Sequence, residues 1–193
     1  MRIIAGTLRS RRLDAPAGLA TRPTSDRLRE TLFNVLAPRI EGARFLDLYA
    51  GSGAVGIEAL SRGAARVDLV ERAQPALVAL RENLSTLGLR EGVRVHAGSV
   101  SAFLRRGHAG APPQFDLVFL DPPYDAEQEY EATLSLLGSA AVSLLASGAL
   151  VIAEHRRKQP LEDRYGSLER TRLLKQGDAA LSFYKAHSEG QSQ

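Results

Sequence analysis

The chain has 193 residues, 44% of them hydrophobic and 24% charged, which suits one globular domain with a sizeable core. It has no cysteine, and its four histidines (His96, His108, His155 and His187) lie far apart; disulfides and thiolate metal sites are excluded, and no metal is expected. The net charge of +3 is unevenly placed: residues 1–30 hold seven arginines (Arg2, Arg9, Arg11, Arg12, Arg22, Arg27, Arg29) against Asp14, Asp26 and Glu30, while the remainder carries one acid more than base. Such a patch attracts phosphates, although a solvated arginine-rich surface accounts for the charge equally well.

In chain order, residues 2–14 read as a short hairpin, an Ile3-Ile4 strand followed by Gly6 and an arginine-rich return. The opening apolar run is too short for a signal-peptide core. Thr21-Arg22-Pro23-Thr24 is a loop, and Asp26 to Leu36 is an amphipathic helix with Leu28, Leu32 and Leu36 on one stripe. From Arg44 onward, strands and helices alternate. Phe45 to Tyr49 is a strand leading into glycines, and Val55 to Arg62 is a helix. Val67 to Glu71 is the second strand, and Pro75 opens a helix that ends near Gly88. Val93 to Ala97 is the third strand, Val100 to Arg105 a short helix, and Phe115 to Leu120 a fully buried strand. Glu127, Glu129 and Glu131 open another helix at its positive end. Residues Ala132 to Ala153 carry no charge, long enough to cross a bilayer. Five serines and threonines (Thr133, Ser135, Ser139, Ser143 and Ser147) and the Ser147-Gly148 break make this a buried-face helix followed by a core strand, Ala149 to Ala153, and a cytoplasmic protein is expected. Leu168 to Leu174 and Ala180 to Tyr184 flank Gly177-Asp178 as a closing hairpin, and 187–193 is a polar tail. The alternation implies an α/β fold, a parallel sheet covered by helices on both faces.

Two segments carry chemistry. The first is Asp47-Leu48-Tyr49-Ala50-Gly51-Ser52-Gly53-Ala54-Val55-Gly56, between the first strand and its helix. Its glycines permit a tight turn and close approach to a ligand. Glu71 ends the second strand 20 residues after Gly51, and a carboxylate there accepts hydrogen bonds from a ribose diol, each worth about 1.5–3 kcal/mol. The glycine spacing also fits a dinucleotide fingerprint. Asp47, just upstream, is an awkward neighbour for a pyrophosphate and a good one for a cationic amino-acid moiety such as the methionine part of S-adenosylmethionine.

The second segment is Asp121-Pro122-Pro123-Tyr124, directly after the fourth strand and so at the ligand crevice of a doubly wound sheet. Two prolines fix φ and remove two backbone donors. The Asp121 side chain and the Pro122 carbonyl can each accept one hydrogen of an exocyclic amine, and Tyr124 can stack on the base, worth about 1–3 kcal/mol. Such an amine is a weak nucleophile; two acceptors orient its lone pair and stabilise the charge that grows on nitrogen. A rigid surface turn is the bland alternative.

Together these residues resemble the RsmD family of bacterial 16S rRNA guanine-N2 methyltransferases. The resemblance spans almost the whole chain: Met1 to Gly6, Thr21 to Thr24 with Asp26 to Glu30 and Leu32-Phe33-Asn34, Leu46 to Gly53, Gly56 to Ala64, and Phe115 to Tyr124. It implies a class I S-adenosylmethionine-dependent methyltransferase fold, Rossmann-like, with a seven-stranded, mostly parallel sheet and a small N-terminal extension. The organisation it implies is an RNA-binding extension over 1–40, a catalytic domain over 41–186 and the tail. It assigns the cofactor to Asp47, Tyr49, Ala50, Gly51, Ser52, Gly53, Glu71 and Arg72, and the guanine to Asp121, Pro122 and Tyr124, with S-adenosylhomocysteine as product. Related methyltransferases commonly place an Asp after the third strand to hold the adenine. Here Gly98-Ser99-Val100 stands there, leaving that contact to Ser99 or the Val100 backbone. Arg9, Arg11, Arg12 and Arg22 become phosphate contacts to 16S rRNA, free or in a small ribosomal subunit. Nothing demands more than a monomer. The alternatives are an amino-methyltransferase acting on DNA or protein glutamine, a nicotinamide-dependent oxidoreductase, and a non-catalytic RNA-binding scaffold.

Overall fold

The computed structural model describes residues 1–15, 26–106, 114–123, 126–139 and 144–186. Tyr124, Arg22 and the tail 187–193, all named above, lie outside these residues. The elements run α1 (Asp26–Ile40), β1 (Arg44–Leu48), α2 (Ala54–Ser61), β2 (Arg66–Glu71), α3 (Gln74–Thr86), β3 (Val93–Ala97) and α4 (Val100–Arg105). They continue through β4 (Phe115–Leu120), α5 (Glu127–Leu137), β5 (Leu145–Arg156), β6 (Arg164–Tyr165), β7 (Leu168–Gln176) and β8 (Ala179–Ala186).

One sheet is formed in the order β3-β2-β1-β4-β5-β8-β7-β6. The first five strands pair in parallel, and β8 joins β5 antiparallel. Strand order reverses beside β1, so the crevice lies at the carboxyl ends of β1, β2 and β4. The expected seven strands are eight among the described residues. The additional one is two-residue β6, which pairs only with β7 at the sheet edge and is too short to leave a periodic signal.

Alternation along the strands separates two cores. Phe45, Val67, Leu69, Leu117, Phe119 and Ile152 face one layer, with residues of α1, α2 and α3. Leu46, Leu48, Val70, Val118, Leu120 and Val151 face the other, with α4 and α5. A parallel strand buried on both faces reads as an apolar run, which is why β1, β2 and β4 were visible in the sequence. Strand β5 differs from expectation. It starts at Leu145 and continues through Ser147-Gly148, because an irregularity takes its register from Phe115↔Leu145 to Leu117↔Leu150. Helix α1 likewise runs past Leu36 to Ile40, with Pro38 inside it and Ile40 buried. No helix among the described residues is long and apolar enough to cross a membrane.

The N-terminal residues form a hairpin with a single antiparallel bridge, Arg2↔Arg12, rather than two strands. Ile3 and Leu13 enter the same core as α1 and α2. Polar side chains of α2 and α3 fasten the hairpin down. Glu58, fully buried, accepts from the backbone N–H of Ile4 (2.7 Å) and Ala5 (3.0 Å). Ser61 accepts from Leu8 N–H (3.0 Å), and Thr7 N–H donates to its carbonyl (2.8 Å). Gly6 sits so close that a Cβ would collide with the Ser61 carbonyl. Asn83 closes the far end, accepting from Asp14 N–H (2.8 Å) and donating to Asp14 O and Ser52 O (both 3.0 Å).

Candidate active site

The loop from Asp47 to Gly56 turns sharply between β1 and α2. Gly53, the residue before α2, has φ +84°, and a Cβ there would run into Leu80 of α3. At Gly51 (φ +57°) a Cβ would meet nothing within 4 Å, so the loop's tip faces open space where a ligand can lie against backbone.

Asp47 is buried beneath this loop. Its Oδ2 accepts from Gly56 N–H at 2.9 Å. Among the described residues no Arg, Lys or His forms an ion pair with it. Burial pushes its carboxyl up to about 8, partly offset by the Gly56 hydrogen bond and reinforced by the nearby Glu71 charge. Glu71, at the end of β2, accepts from Gly51 N–H (2.8 Å), Arg72 N–H (2.8 Å) and Ala73 N–H (2.7 Å). Its carboxylate has about four acceptor positions. Three are taken by backbone, which fixes the group beside the loop and leaves Oε2 a further position.

Ser99 does not hang free after β3. It caps α4, accepting from Ala102 N–H at 3.2 Å, and lies 3.3 Å from the Ser101 hydroxyl. That local bond competes with any ligand for its oxygen, while Val100 is buried under the helix start. Asp121 is half-buried, Pro122 buried and Pro123 exposed. The Pro123 carbonyl accepts from Ala126 N–H (2.9 Å), turning the chain into α5.

Tyr49, expected among the cofactor contacts, reaches two elements. Its backbone lies in the loop with φ +66°, but its hydroxyl points to α5. It donates to Glu129 Oε2 (2.8 Å) and lies 2.7 Å from the Thr133 hydroxyl. Arg72 also reaches α5, 3.7 Å from Glu129. In the hairpin, Arg9, Arg11 and Arg12 are exposed, and Arg11 donates to Thr86 O at 3.3 Å. Arg2, Arg9 and Arg27 line a cleft of about 390 Å³ with Asp26 and Glu30. Among the described residues no three metal-ligating side chains converge.

Sequence reasoning missed Glu58, Ser61 and Asn83, which hold the hairpin, and Glu129 and Thr133, which hold Tyr49. Glu58 and Asn83 lie on helices at positions that a helical repeat marks as core-facing. A polar residue there was the available signal.

The strand order, the glycine loop over β1 and the acidic residues at the ends of β1, β2 and β4 define the class I S-adenosylmethionine-dependent methyltransferase fold. A family model described as "Conserved hypothetical protein 95" matches residues 1–185. "Ribosomal RNA small subunit methyltransferase D" of Escherichia coli is 37% identical over 194 residues, covering 100% of this chain and 93% of that protein. A Bacillus subtilis protein named "Putative rRNA methyltransferase YlbH" is 39% identical over 187 residues, 96% of this chain and 98% of its own. The solved structure "Putative methyltransferase yhhF from Escherichia coli" superposes with a TM-score of 0.83 at 36% identity, over 98% of this chain and 99% of that one. The chain belongs to the RsmD family.

Proposed function

We propose that this chain transfers a methyl group from S-adenosylmethionine to the exocyclic N2 amine of a guanine in 16S ribosomal RNA. The observation that carries the cofactor half is Asp47: a buried carboxyl, without a cationic partner among the described residues, under a glycine loop that faces open space. A ligand ammonium supplies the missing charge. Glu71 takes a ribose hydroxyl at its remaining acceptor position, beside the backbone of Ala50, Gly51, Ser52 and Gly53. Arg72 lines the same rim, and the adenine lies against the Ser99-Val100 turn, with backbone the better partner because Ser99 already caps α4.

When bound, the cofactor supplies an electrophilic sulfonium methyl. The protein's task is then positional. Asp121 and the Pro122 carbonyl accept the two amine hydrogens and aim the lone pair along the carbon–sulfur axis, and Tyr124 stacks on the base. The N–C bond forms as the C–S bond breaks. S-adenosylhomocysteine leaves, and the nitrogen gives up one proton to solvent.

Full-length likeness to the named relatives supports rRNA as the polymer. In this reading residues 1–40 are the RNA-binding extension and 41–186 the catalytic domain, acting as a cytoplasmic monomer on a small subunit or its assembly intermediate. Arg9, Arg11, Arg12 and Arg22 contact phosphates without reading sequence. The test is methyl transfer to small subunits from labelled cofactor by wild type and Asp121→Ala. A fall in rate of at least a hundredfold, with S-adenosylhomocysteine affinity changed less than threefold, is expected. An Asp121→Ala enzyme as fast as wild type would overturn the assignment.

A further inference from the structure

Strands β1 and β4 are parallel neighbours in the register Leu48↔Leu120. Tyr49 and Asp121 are therefore the first residues beyond the paired ends, and the two loops leave the sheet side by side. The sheet fixes where each loop begins. The segment after β4 is fixed a second time where α5 starts at Glu127, seven residues past Leu120. Besides the burial of Tyr130 and its hydrogen bond to the Glu154 carbonyl, a side chain of the other loop holds that end. Glu129 and Thr133 are one turn apart on α5 and share a face. The Tyr49 oxygen meets both, so the phenol donates to Glu129 and the Thr133 hydroxyl donates to the phenol. Thr133 is buried and the Tyr49 ring packs against the core beneath α5, so water does not readily replace these bonds. Tyr49 also holds a left-handed backbone conformation, φ +66°, which a non-glycine residue keeps only where its surroundings over-determine it. The Arg72–Glu129 pair at 3.7 Å brings the end of β2 to the same carboxylate.

We propose that Tyr49 is a positioning residue that clamps the first turn of α5 to the glycine loop and so sets the spacing between the methyl-donor and methyl-acceptor loops. The catalytic consequence rests on the methyltransferase reading above; the clamp itself does not. A small error in the spacing of two reactants slows an in-line displacement more than it weakens binding of either one. The phenol is thus tied to rate, not to cofactor affinity.

The experiment uses the full chain and Tyr49→Phe, which keeps the ring and its packing. Amide hydrogen exchange of the free protein is the first readout. Exchange at residues 50–53 and 127–130 is expected to quicken about tenfold, with β1 and β4 unchanged. Unaltered exchange in both segments overturns the clamp, whatever the substrate. Single-turnover methyl transfer to small subunits is the second. A rate about tenfold lower is expected, with S-adenosylhomocysteine affinity within twofold, and Tyr49→Phe/Glu129→Gln no slower than the slower single variant. A rate loss matched by an equal affinity loss makes Tyr49 a cofactor contact and overturns the proposal, as does an unchanged rate. If wild type leaves the subunits unmethylated, the substrate reading fails, and hydrogen exchange still decides the clamp.

Discussion

Helix α2 has a buried carboxylate at each end, and the two are treated in opposite ways. Glu58, toward its C-terminus, is saturated by the chain itself. Ile4 and Ala5 donate backbone N–H groups, Arg62 donates at 2.7 Å, and buried Arg29 stands 3.9 Å away. Asp47, under the N-terminus, has the Gly56 N–H and no ion-pair partner among the described residues, and burial raises its carboxyl to about 8. A buried charge matched from within does structural work, here locking the hairpin to the catalytic layer. One left unmatched costs stability unless a ligand completes it. The difference separates the part of the molecule that is finished by folding from the part that is finished by binding.

The largest expected effect falls on the saturated end. Glu58→Gln leaves Arg29 and Arg62 without their shared acid and is expected to cost about 3–5 kcal/mol in urea unfolding, as for a broken buried ion pair. Asp47→Asn is expected to raise stability at neutral pH, since the wild-type chain folds there only by taking up a proton that its unfolded carboxyl has released. It should weaken S-adenosylmethionine binding roughly ten- to a hundredfold by calorimetry, the worth of a hydrogen bond to a charged group. Equal stability losses in the two variants would erase the comparison.

The pH dependence sharpens it. The Asp47 carboxyl is raised by folding, so the folded chain keeps a proton that the unfolded chain releases. Its contribution to stability is fully present below about pH 4 and is lost as pH rises through about 8. The slope is at most about 1.4 kcal/mol per pH unit. Denaturation midpoints of the free protein from pH 5 to 8 should show this slope, and Asp47→Asn should remove it. Binding of the cationic cofactor below pH 8 should release a proton, seen as buffer-dependent heat.

A smaller effect belongs to Asn83, which joins Asp14 to the Ser52 carbonyl. Asn83→Leu strands three backbone groups, and a cost of about 1–3 kcal/mol is expected in the same unfolding experiment. The smallest is at the surface. Replacing Arg9, Arg11 and Arg12 with Ala should leave stability within about 0.5 kcal/mol and lower the salt slope of rRNA binding by about 0.7–0.9 per lost phosphate contact. An unchanged slope would remove the hairpin from the RNA interface.

How far these features were legible follows from their chemistry. The glycine loop, Asp47, Glu71 and Asp121 announce themselves because each sits at a strand end, and strand ends are marked by apolar runs. The backbone partners of Glu58, Ile4 and Ala5, lie more than fifty positions away in sequence, and local spacing carries no trace of such pairs. Tyr49 was legible as a loop residue but not as one facing α5, because backbone position does not fix where a side chain reaches. Ser99 was read as a ligand contact, although the helix expected from Val100 already placed it at the N-cap, where a serine bonds its own helix. The passage of β5 through Ser147-Gly148 was hidden by residues that ordinarily interrupt a strand, and the register irregularity there is what accommodates them.

The identity of the methylated nucleoside tests the account most directly. Small ribosomal subunits and their naked RNA, incubated with labelled S-adenosylmethionine and the wild-type chain, are digested to nucleosides and analysed by mass spectrometry. N2-methylguanosine carrying the label, absent with Asp121→Ala, is the predicted result. Label in N6-methyladenine, or in no nucleoside of either substrate, would contradict it.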